Sequence, residues 1–77
     1  MKILVTGAAG FIGYHASHKL LSLKYKVIGI DNLNNYYDIK IKKDRIKELK
    51  KDNKFIFFKV YLLNYKKLSN IIKTYKI

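Results

Sequence analysis

The chain has 77 residues, which is enough for one small domain. It contains no cysteine, so the sequence excludes a disulfide framework and a thiolate metal site. No apolar run approaches the roughly 20 residues that a membrane span requires, and the first residues do not have the pattern of a secretory signal, so we expect a cytoplasmic protein without a membrane segment.

The net charge of +12 comes from 17 basic residues against five acidic residues. Such a balance is typical of proteins that bind nucleic acids or anionic surfaces. Here every basic residue except Arg45 is a lysine, and the lysines are scattered over all the predicted helices. We therefore expect a solvated, lysine-rich surface, and a lysine-rich nucleic-acid binder stays open as an alternative function.

The first predicted element is a strand over Lys2–Thr6, whose continuous apolar run is typical of a fully buried parallel strand. Glycines follow at positions 7, 10 and 13, and a helix is predicted over Phe11–Lys24. The N–H groups of a first helical turn are unpaired and carry partial positive charge, and glycine lets a phosphate approach them closely. The candidate anion-binding residues are Gly7, Gly10, Phe11, Ile12 and Gly13, although a glycine-rich turn without a ligand has the same pattern.

Helical spacing along this segment predicts the face that packs against the rest of the protein. Ile12, Ala16, Leu20 and Leu23 recur at intervals of four, four and three, which predicts one apolar stripe. His15 and His18 lie three apart on the same helix. Two histidines without a third ligand favour a packed or surface pair, so we predict no metal site.

A second buried strand is predicted over Lys26–Asp31 and ends on an acidic residue. Asp31 lies eighteen positions after Gly13, close to the spacing at which dinucleotide-binding proteins place a carboxylate on the adenosine ribose. A carboxylate there accepts hydrogen bonds from the ribose hydroxyls and repels a 2′-phosphate, which favours NAD over NADP. The alternative is an aspartate that only closes a turn or caps a helix.

The remaining segments predict a helix, a strand and a final helix. The helix covers Ile39–Lys51, is capped by Asp38 and has a core face; the strand covers Phe55–Val60; and Asn64 caps the last helix. These elements predict an α/β fold with three parallel strands; in a sheet with the strand order 3-2-1, right-handed crossovers put the first two helices on one face and leave an open edge at the first strand. The residues expected to face the core are Ile39, Ile46 and Leu49 in the middle helix and Tyr65, Leu68, Ile71, Ile72 and Tyr75 in the last helix.

Two stretches resemble a known family. The run Thr6-Gly7-Ala8-Ala9-Gly10-Phe11-Ile12-Gly13 resembles the T-G-x-x-G-x-x-G signature of short-chain dehydrogenases/reductases, and its Phe-Ile pair resembles the extended branch of NAD-dependent sugar-nucleotide epimerases and dehydratases. The run Gly29-Ile30-Asp31-Asn32-Leu33-Asn34-Asn35-Tyr36-Tyr37-Asp38 is similar to UDP-glucuronate 4-epimerases. The resemblance implies the N-terminal half of a Rossmann fold with an incomplete sheet.

The resemblance also implies roles for individual residues. Asp31, Asn32 and Asn35 match positions that contact the adenosine half of NAD, whereas Tyr61 stands where the family usually has an aspartate that binds adenine. We therefore expect weakened adenine recognition. The pair Tyr36 and Lys40 matches Tyr-x-x-x-Lys by spacing, but it lies away from the expected nicotinamide position and receives no catalytic role.

Residues 1–77 are accordingly expected to be a partial NAD(P)-binding domain, truncated and inactive alone, that binds a sugar nucleotide only when missing domains complete it. The family's catalytic Ser/Thr and Tyr-x-x-x-Lys region has no counterpart in the sequence. Two further functions stay open, namely a non-catalytic dinucleotide-binding or interaction module and a fragment of a sugar-nucleotide 4,6-dehydratase. The open sheet edge predicts possible self-association.

Overall fold

The computed structural model describes residues 1–33 and 39–77. Within these ranges, three strands alternate with three helices along the chain, as the sequence predicts. The elements are β1 (Lys2–Thr6), α1 (Phe11–Ser22), β2 (Lys26–Asp31), α2 (Ile39–Leu49), β3 (Phe55–Lys59) and α3 (Tyr65–Tyr75).

The three strands form one parallel sheet in the order β1-β2-β3, which confirms the predicted order 3-2-1. Thr6 lies opposite Ile30 in the β1–β2 pair, and Asp31 lies opposite Lys59 in the β2–β3 pair. All three strands therefore end at the same edge of the sheet. The result is an α/β fold with an incomplete Rossmann-type sheet, in which β2 is the central strand.

Alternate residues of β2 contribute to two separate apolar clusters, one on each face of the sheet. Val27 belongs to a cluster with buried residues of α1 and α2, whereas Ile28 and Ile30 pack with Val60 and with Ile71 of α3. This alternation follows from the two-residue period of a strand. It confirms that α1 and α2 cover one face and that α3 covers the other.

The predicted apolar stripe of α1 is wrong for Ile12, Ala16 and Leu23, which are exposed, whereas Leu20 is half-buried and packs against the core. The buried residues are Gly13, Ser17 and Leu21, while Ile12 is 81% exposed. Helix α1 packs through its small residues because its first turn lies directly against the glycine turn, where only a small side chain fits. The helix also ends at Ser22, two residues before the predicted end.

Strand β1 is less buried than its apolar sequence predicts. Ile3, Leu4 and Val5 are half-buried and both ends of the strand are exposed. The reason is its position, because β1 pairs only with β2 among the described strands. A continuous apolar run predicts burial on both faces, but the neighbour on the second side is needed to complete it.

Helices α2 and α3 confirm part of their predicted core faces. Ile46, Leu49 and Ile71 are buried, but Ile39 is 37% exposed and Tyr65 is 71% exposed. These two residues are the first of their helices. Helix α2 ends at Leu49 rather than at the predicted Lys51. Strand β3 ends at Lys59, one residue before its predicted end, the buried Val60. The proposed cap Asp38 lies outside the described residues.

Two polar side chains fix the connections around β3. The backbone N–H of Lys54 donates to the Asp52 carboxylate at 2.9 Å, and the Lys54 ammonium lies 3.0 Å from it. These contacts hold the pKa of the Asp52 carboxyl below its ordinary value. The predicted cap of α3 is confirmed, because the Asn64 side chain accepts from the Lys67 N–H at 3.2 Å.

Candidate functional site

The glycine turn begins where β1 ends and is fixed to the end of β2. Gly7 has a φ of +64°, in the left-handed region that favours glycine. The Gly10 N–H donates to the Gly7 carbonyl at 2.9 Å, and the Ala8 N–H donates to the Ile30 carbonyl at 3.0 Å. The turn is therefore a closed, hydrogen-bonded unit attached to the central strand.

The turn leads directly into the N-terminus of α1. Gly10 is the N-cap residue, and its carbonyl accepts the first helical hydrogen bond from the Tyr14 N–H at 2.9 Å. The N–H groups of Phe11, Ile12 and Gly13 precede this hydrogen-bond ladder, and the first turn of α1 contains no acidic residue. The helix start is thus a site of partial positive charge with donors for an anion.

Gly13 is required by the close packing of α1 on the turn. A Cβ atom at this position would collide with the Gly7 carbonyl oxygen and would lie 2.7 Å from its carbonyl carbon. It would also lie 3.0 Å from the Ala8 Cα. The absence of a side chain therefore allows the helix and the turn to touch through their backbones.

Asp31 lies at the carboxyl end of β2, within hydrogen-bond distance of the glycine turn. Its Oδ2 accepts from the Ala9 N–H at 3.0 Å, and its Oδ1 accepts from the Leu33 N–H at 2.7 Å. The second contact, two residues along the chain, is the Asx turn that formed the alternative interpretation of this residue. Asp31 is only 7% exposed. Its two hydrogen bonds hold the backbone at Ala9 and Leu33 in place.

Two basic side chains of helix α2 contact Asp31 and the glycine turn. The Lys42 ammonium lies 3.8 Å from the Asp31 Oδ1, and Lys42 is only 5% exposed. One guanidinium nitrogen of Arg45 donates to the Ala9 carbonyl at 3.0 Å. The sequence interpretation missed both residues; the signal in the sequence was the single arginine of the chain, three positions after a lysine and beside the core residue Ile46.

An open groove of about 610 Å³ starts at the glycine turn and runs along the free side of β1. Among its lining residues are Gly7, Gly10, Phe11, Ile12 and Gly13, so the structure brings the five predicted anion-binding residues together at one surface. The β1 residues Leu4 and Val5 form its floor with Ala16 of α1. The groove is mainly apolar away from the turn.

The structure describes only some of the other residues that the sequence predicts for the site. Asn32 is half-buried next to Asp31, and Asn35, Tyr36 and the rest of residues 34–38 lie outside the described ranges. Tyr61 is 57% exposed and follows Val60, whose N–H donates to the Asp31 carbonyl at 3.1 Å. Tyr61 is therefore adjacent to the end of β2, and the adenine-binding position that the resemblance gives it stays a prediction.

The two histidines of α1 contact aromatic rings. His15 lies 4.6 Å from the ring of Phe11 and 5.1 Å from that of Tyr14, measured between ring centroids. Over residues 1–33 and 39–77, no group of three or more histidine, cysteine or acidic side chains is placed to hold a metal ion. In the same ranges, no helix is long and apolar enough to cross a membrane.

Comparisons with known proteins give consistent matches over nearly the whole chain. A family model described as GDP-mannose 4,6 dehydratase matches residues 4–77. Protein CapI of Staphylococcus aureus is 51% identical over 71 residues, which cover 92% of this chain and 21% of that protein. A UDP-glucuronate 4-epimerase of Thermodesulfobacterium geofontis is 45% identical over 74 residues, which cover 96% of this chain and 23% of that protein.

Solved structures show the same similarity in three dimensions. UDP-glucuronic acid 4-epimerase from Bacillus cereus, in complex with UDP-glucuronic acid and NAD, matches with a TM-score of 0.85 and 40% identity over 96% of this chain and 24% of that chain. dTDP-glucose 4,6-dehydratase from Bacillus anthracis, in complex with NAD, also has a TM-score of 0.85, with 32% identity over 100% of this chain and 24% of that chain. The chain spans about a quarter or less of the length of these relatives.

Proposed function

We propose that this chain, which belongs to the GDP-mannose 4,6 dehydratase family, binds NAD as the cofactor-binding part of a sugar-nucleotide 4-epimerase. In this proposal, residues 1–77 are a partial NAD(P)-binding domain. One observation carries the proposal: the donors at the start of α1 and the carboxylate of Asp31 meet at the carboxyl edge of the sheet. Dinucleotides bind to open α/β sheets at this edge.

The diphosphate of NAD would lie over the glycine turn. Its oxygens can accept hydrogen bonds from the N–H groups of Phe11, Ile12 and Gly13, and the helix dipole favours their charge. Gly7 and Gly10 carry no side chain that would keep the diphosphate away from this backbone. The residues thus bind through main-chain atoms, which explains why Phe11 can expose its side chain.

The adenosine half would lie at the end of β2, near Asp31 and Asn32, and the resemblance adds Asn35 as a further contact. A carboxylate has about four lone-pair positions, and the Ala9 and Leu33 amides use two of those on Asp31, so it can still accept from ribose hydroxyls. Its negative charge would repel the 2′-phosphate of NADP. Tyr61 provides a phenol where the resemblance implies a carboxylate, which we expect to weaken recognition of the adenine amino group.

The activity proposed for the whole protein is 4-epimerisation of a UDP-glucuronate-like sugar nucleotide. The two UDP-glucuronate 4-epimerases described above share 45% and 40% identity with this chain, against 32% for the dTDP-glucose 4,6-dehydratase, which favours the UDP-glucuronate 4-epimerase over the dehydratase alternative. NAD, when bound, would supply a hydride acceptor for the sugar. In this proposal, other parts of the protein bind the sugar and supply the acid–base residues.

We also propose a cytoplasmic location, because the absence of cysteine fits a reducing compartment.

Calorimetric titration with NAD and NADP tests the proposed cofactor site. We expect saturable binding of NAD at least tenfold tighter than that of NADP. Asp31→Asn should reduce this preference, because it removes the charge that repels the 2′-phosphate. Asp44→Asn removes the same charge from an exposed position of α2 and should leave both affinities unchanged.

The result that contradicts the proposal is a folded wild-type chain that binds neither dinucleotide. Equal affinities for NAD and NADP would contradict the role of Asp31 while keeping the diphosphate site. A preference lost equally in Asp31→Asn and Asp44→Asn would indicate a general effect of charge rather than a contact.

We further propose that the chain associates with itself along the open edge of β1. Among the strands of residues 1–33 and 39–77, β1 pairs only with β2, so its other edge presents backbone groups without a strand partner. The groove beside this edge exposes apolar atoms of Leu4, Val5 and Ile12. In sedimentation velocity, we expect the wild type to form dimers or larger species as its concentration rises. Ala16→Lys places a charge in the groove and should shift the chain to monomer. Ser69→Lys places the same charge at an exposed position of α3 and should leave the association unchanged. A wild type that stays monomeric at all concentrations would rule out this association.

A further inference from the structure

The peptide groups of Ala9 are held from two sides by side chains distant in sequence. Its N–H donates to the Asp31 Oδ2 at 3.0 Å, and its carbonyl accepts from the Arg45 guanidinium at 3.0 Å. Ala9 is completely buried; its hydrogen bond to Asp31 is buried as well, and that from Arg45 is part-buried. Arg45 therefore contacts the glycine turn from α2, 36 positions later in the chain.

The Ala9 carbonyl controls more than one residue of the turn. This carbonyl and the Gly10 N–H belong to the same planar peptide group, so fixing the carbonyl fixes the direction of the N–H. The Gly10 N–H closes the turn on the Gly7 carbonyl, and the Gly10 carbonyl accepts the first helical bond from Tyr14. The orientation of the Ala9–Gly10 peptide thus determines how α1 begins.

We propose that Arg45 is a positioning residue for the diphosphate-binding turn, acting through the Ala9 carbonyl. The nature of the ligand rests on the proposed function, but the positioning itself does not. Lys42 lies one helical turn before Arg45 and pairs with Asp31, so one face of α2 holds the carboxylate and the turn together. Helix α2 thereby helps to orient the N–H donors of the glycine turn and of the start of α1.

An arginine suits this role better than any of the sixteen lysines of the chain. Its guanidinium is planar and presents several donors in a fixed arrangement, so one N–H can be directed at a carbonyl while the others bind elsewhere. A lysine ammonium has the same charge but rotates on a flexible stem. If the role were only to attract an anion by charge, neighbouring lysines of α2 would serve equally well.

Amide hydrogen exchange of the ligand-free chain, followed by NMR, tests the positioning role. In Arg45→Gln, we expect the Ala9 and Gly10 amides to exchange at least tenfold faster than in the wild type. The amides of Ile28 in the central strand and Ile71 in α3 should keep their rates. Lys47→Gln removes the same charge from an exposed position of α2 and should change none of these rates.

Arg45→Lys separates hydrogen bonding from charge, and we expect it to restore part of the Ala9 and Gly10 protection. The proposal is overturned when the Ala9 and Gly10 rates in Arg45→Gln equal those in Lys47→Gln. It is also overturned when all four amides accelerate by the same factor, because Arg45 would then stabilise the fold in general.

Ligand binding gives a second test, which distinguishes this inference from the proposed function. Arg45→Gln should lower the affinity for NAD about tenfold. The affinity for adenosine, which has no phosphate, should stay at the wild-type value. An equal loss for both ligands would contradict positioning of the diphosphate turn. A wild type that binds no NAD would overturn the proposed function, and the exchange rates would still decide the role of Arg45.

Discussion

Gly13→Ala is expected to abolish NAD binding and to lower the midpoint of thermal unfolding by roughly 10 °C or more. In an open helix, alanine would stabilise this position by about 1 kcal/mol relative to glycine. Here the new methyl group would collide with the Gly7 carbonyl, which belongs to the backbone and cannot rotate away like a side chain. Overpacking typically costs about 1–3 kcal/mol and costs more where the obstacle is backbone, so after the gain of about 1 kcal/mol in helix propensity we expect a net loss of about 2 kcal/mol, or roughly 8–16 °C in a domain of this size.

Thermal unfolding followed by circular dichroism measures this effect, and Gly7→Ala provides the control. A Cβ at Gly7 meets no atom within 4 Å, so its cost comes only from the positive φ and amounts to about 1–2 kcal/mol. We therefore expect Gly13→Ala to be the more damaging variant. A Gly13→Ala chain as stable as the wild type would show that α1 can move away from the turn without loss.

The topology was predictable from local sequence together with the family resemblance. The apolar run that ends at Asp31 indicates a parallel strand, and Gly10 and Asn64 mark helix starts. The resemblance to a Rossmann half supplies the strand order 3-2-1, and right-handed crossovers then put α1 and α2 on the same face of the sheet. The predicted proximity of the glycine turn and Asp31 follows from this arrangement, since parallel strands end at the same edge of the sheet.

The orientation of α1 was not predictable from hydrophobicity. Counting apolar residues selects the face with Ile12 and Leu23, but the helix buries the face with Gly13 and Ser17. Packing distance decides the outcome, because the helix must approach the turn until backbone atoms touch. Small residues at intervals of four were the signal in the sequence, and they indicate close approach rather than a wide apolar contact.

The contributions of α2 to the site were missed for a different reason. Ile46 and Leu49 follow from helical periodicity, but nothing local indicates that Arg45 contacts Ala9 or that Lys42 is buried beside Asp31. Those contacts depend on how α2 lies across the end of the sheet. Periodicity assigns a residue to a face of its own helix and does not identify the atom that this face meets.

The structure also changes the expected role of Asp31. The spacing from Gly13 predicts a ribose ligand, and the alternative interpretation is a turn aspartate. In the structure, its carboxylate closes the turn through Leu33 and holds the Ala9 amide, so the structural role is present before any ligand binds. Removing this side chain should therefore affect folding as well as binding.

Asp31→Ala is expected to lower the free energy of unfolding by about 4 kcal/mol or more, in addition to weakening NAD binding. The variant removes the acceptor for the buried Ala9 N–H and takes the carboxylate away from the buried Lys42 ammonium. Breaking a buried ion pair from one side costs about 3–5 kcal/mol, and a buried amide without its acceptor costs about 1–3 kcal/mol. A chain of this size has a total stability of only about 4–12 kcal/mol, so part of the variant should be unfolded at 37 °C.

Urea unfolding of a double-mutant cycle separates the two contributions. Lys42→Met removes the ammonium and keeps the apolar stem, so Asp31→Ala combined with Lys42→Met should recover part of the loss. The part that is not recovered belongs to the Ala9 and Leu33 amides. Asp44→Ala, on the exposed side of α2, should change stability by less than about 0.5 kcal/mol. An Asp31→Ala chain that loses NAD but unfolds at the wild-type urea concentration would mean that Asp31 acts only on the ribose and that the turn keeps its shape without it.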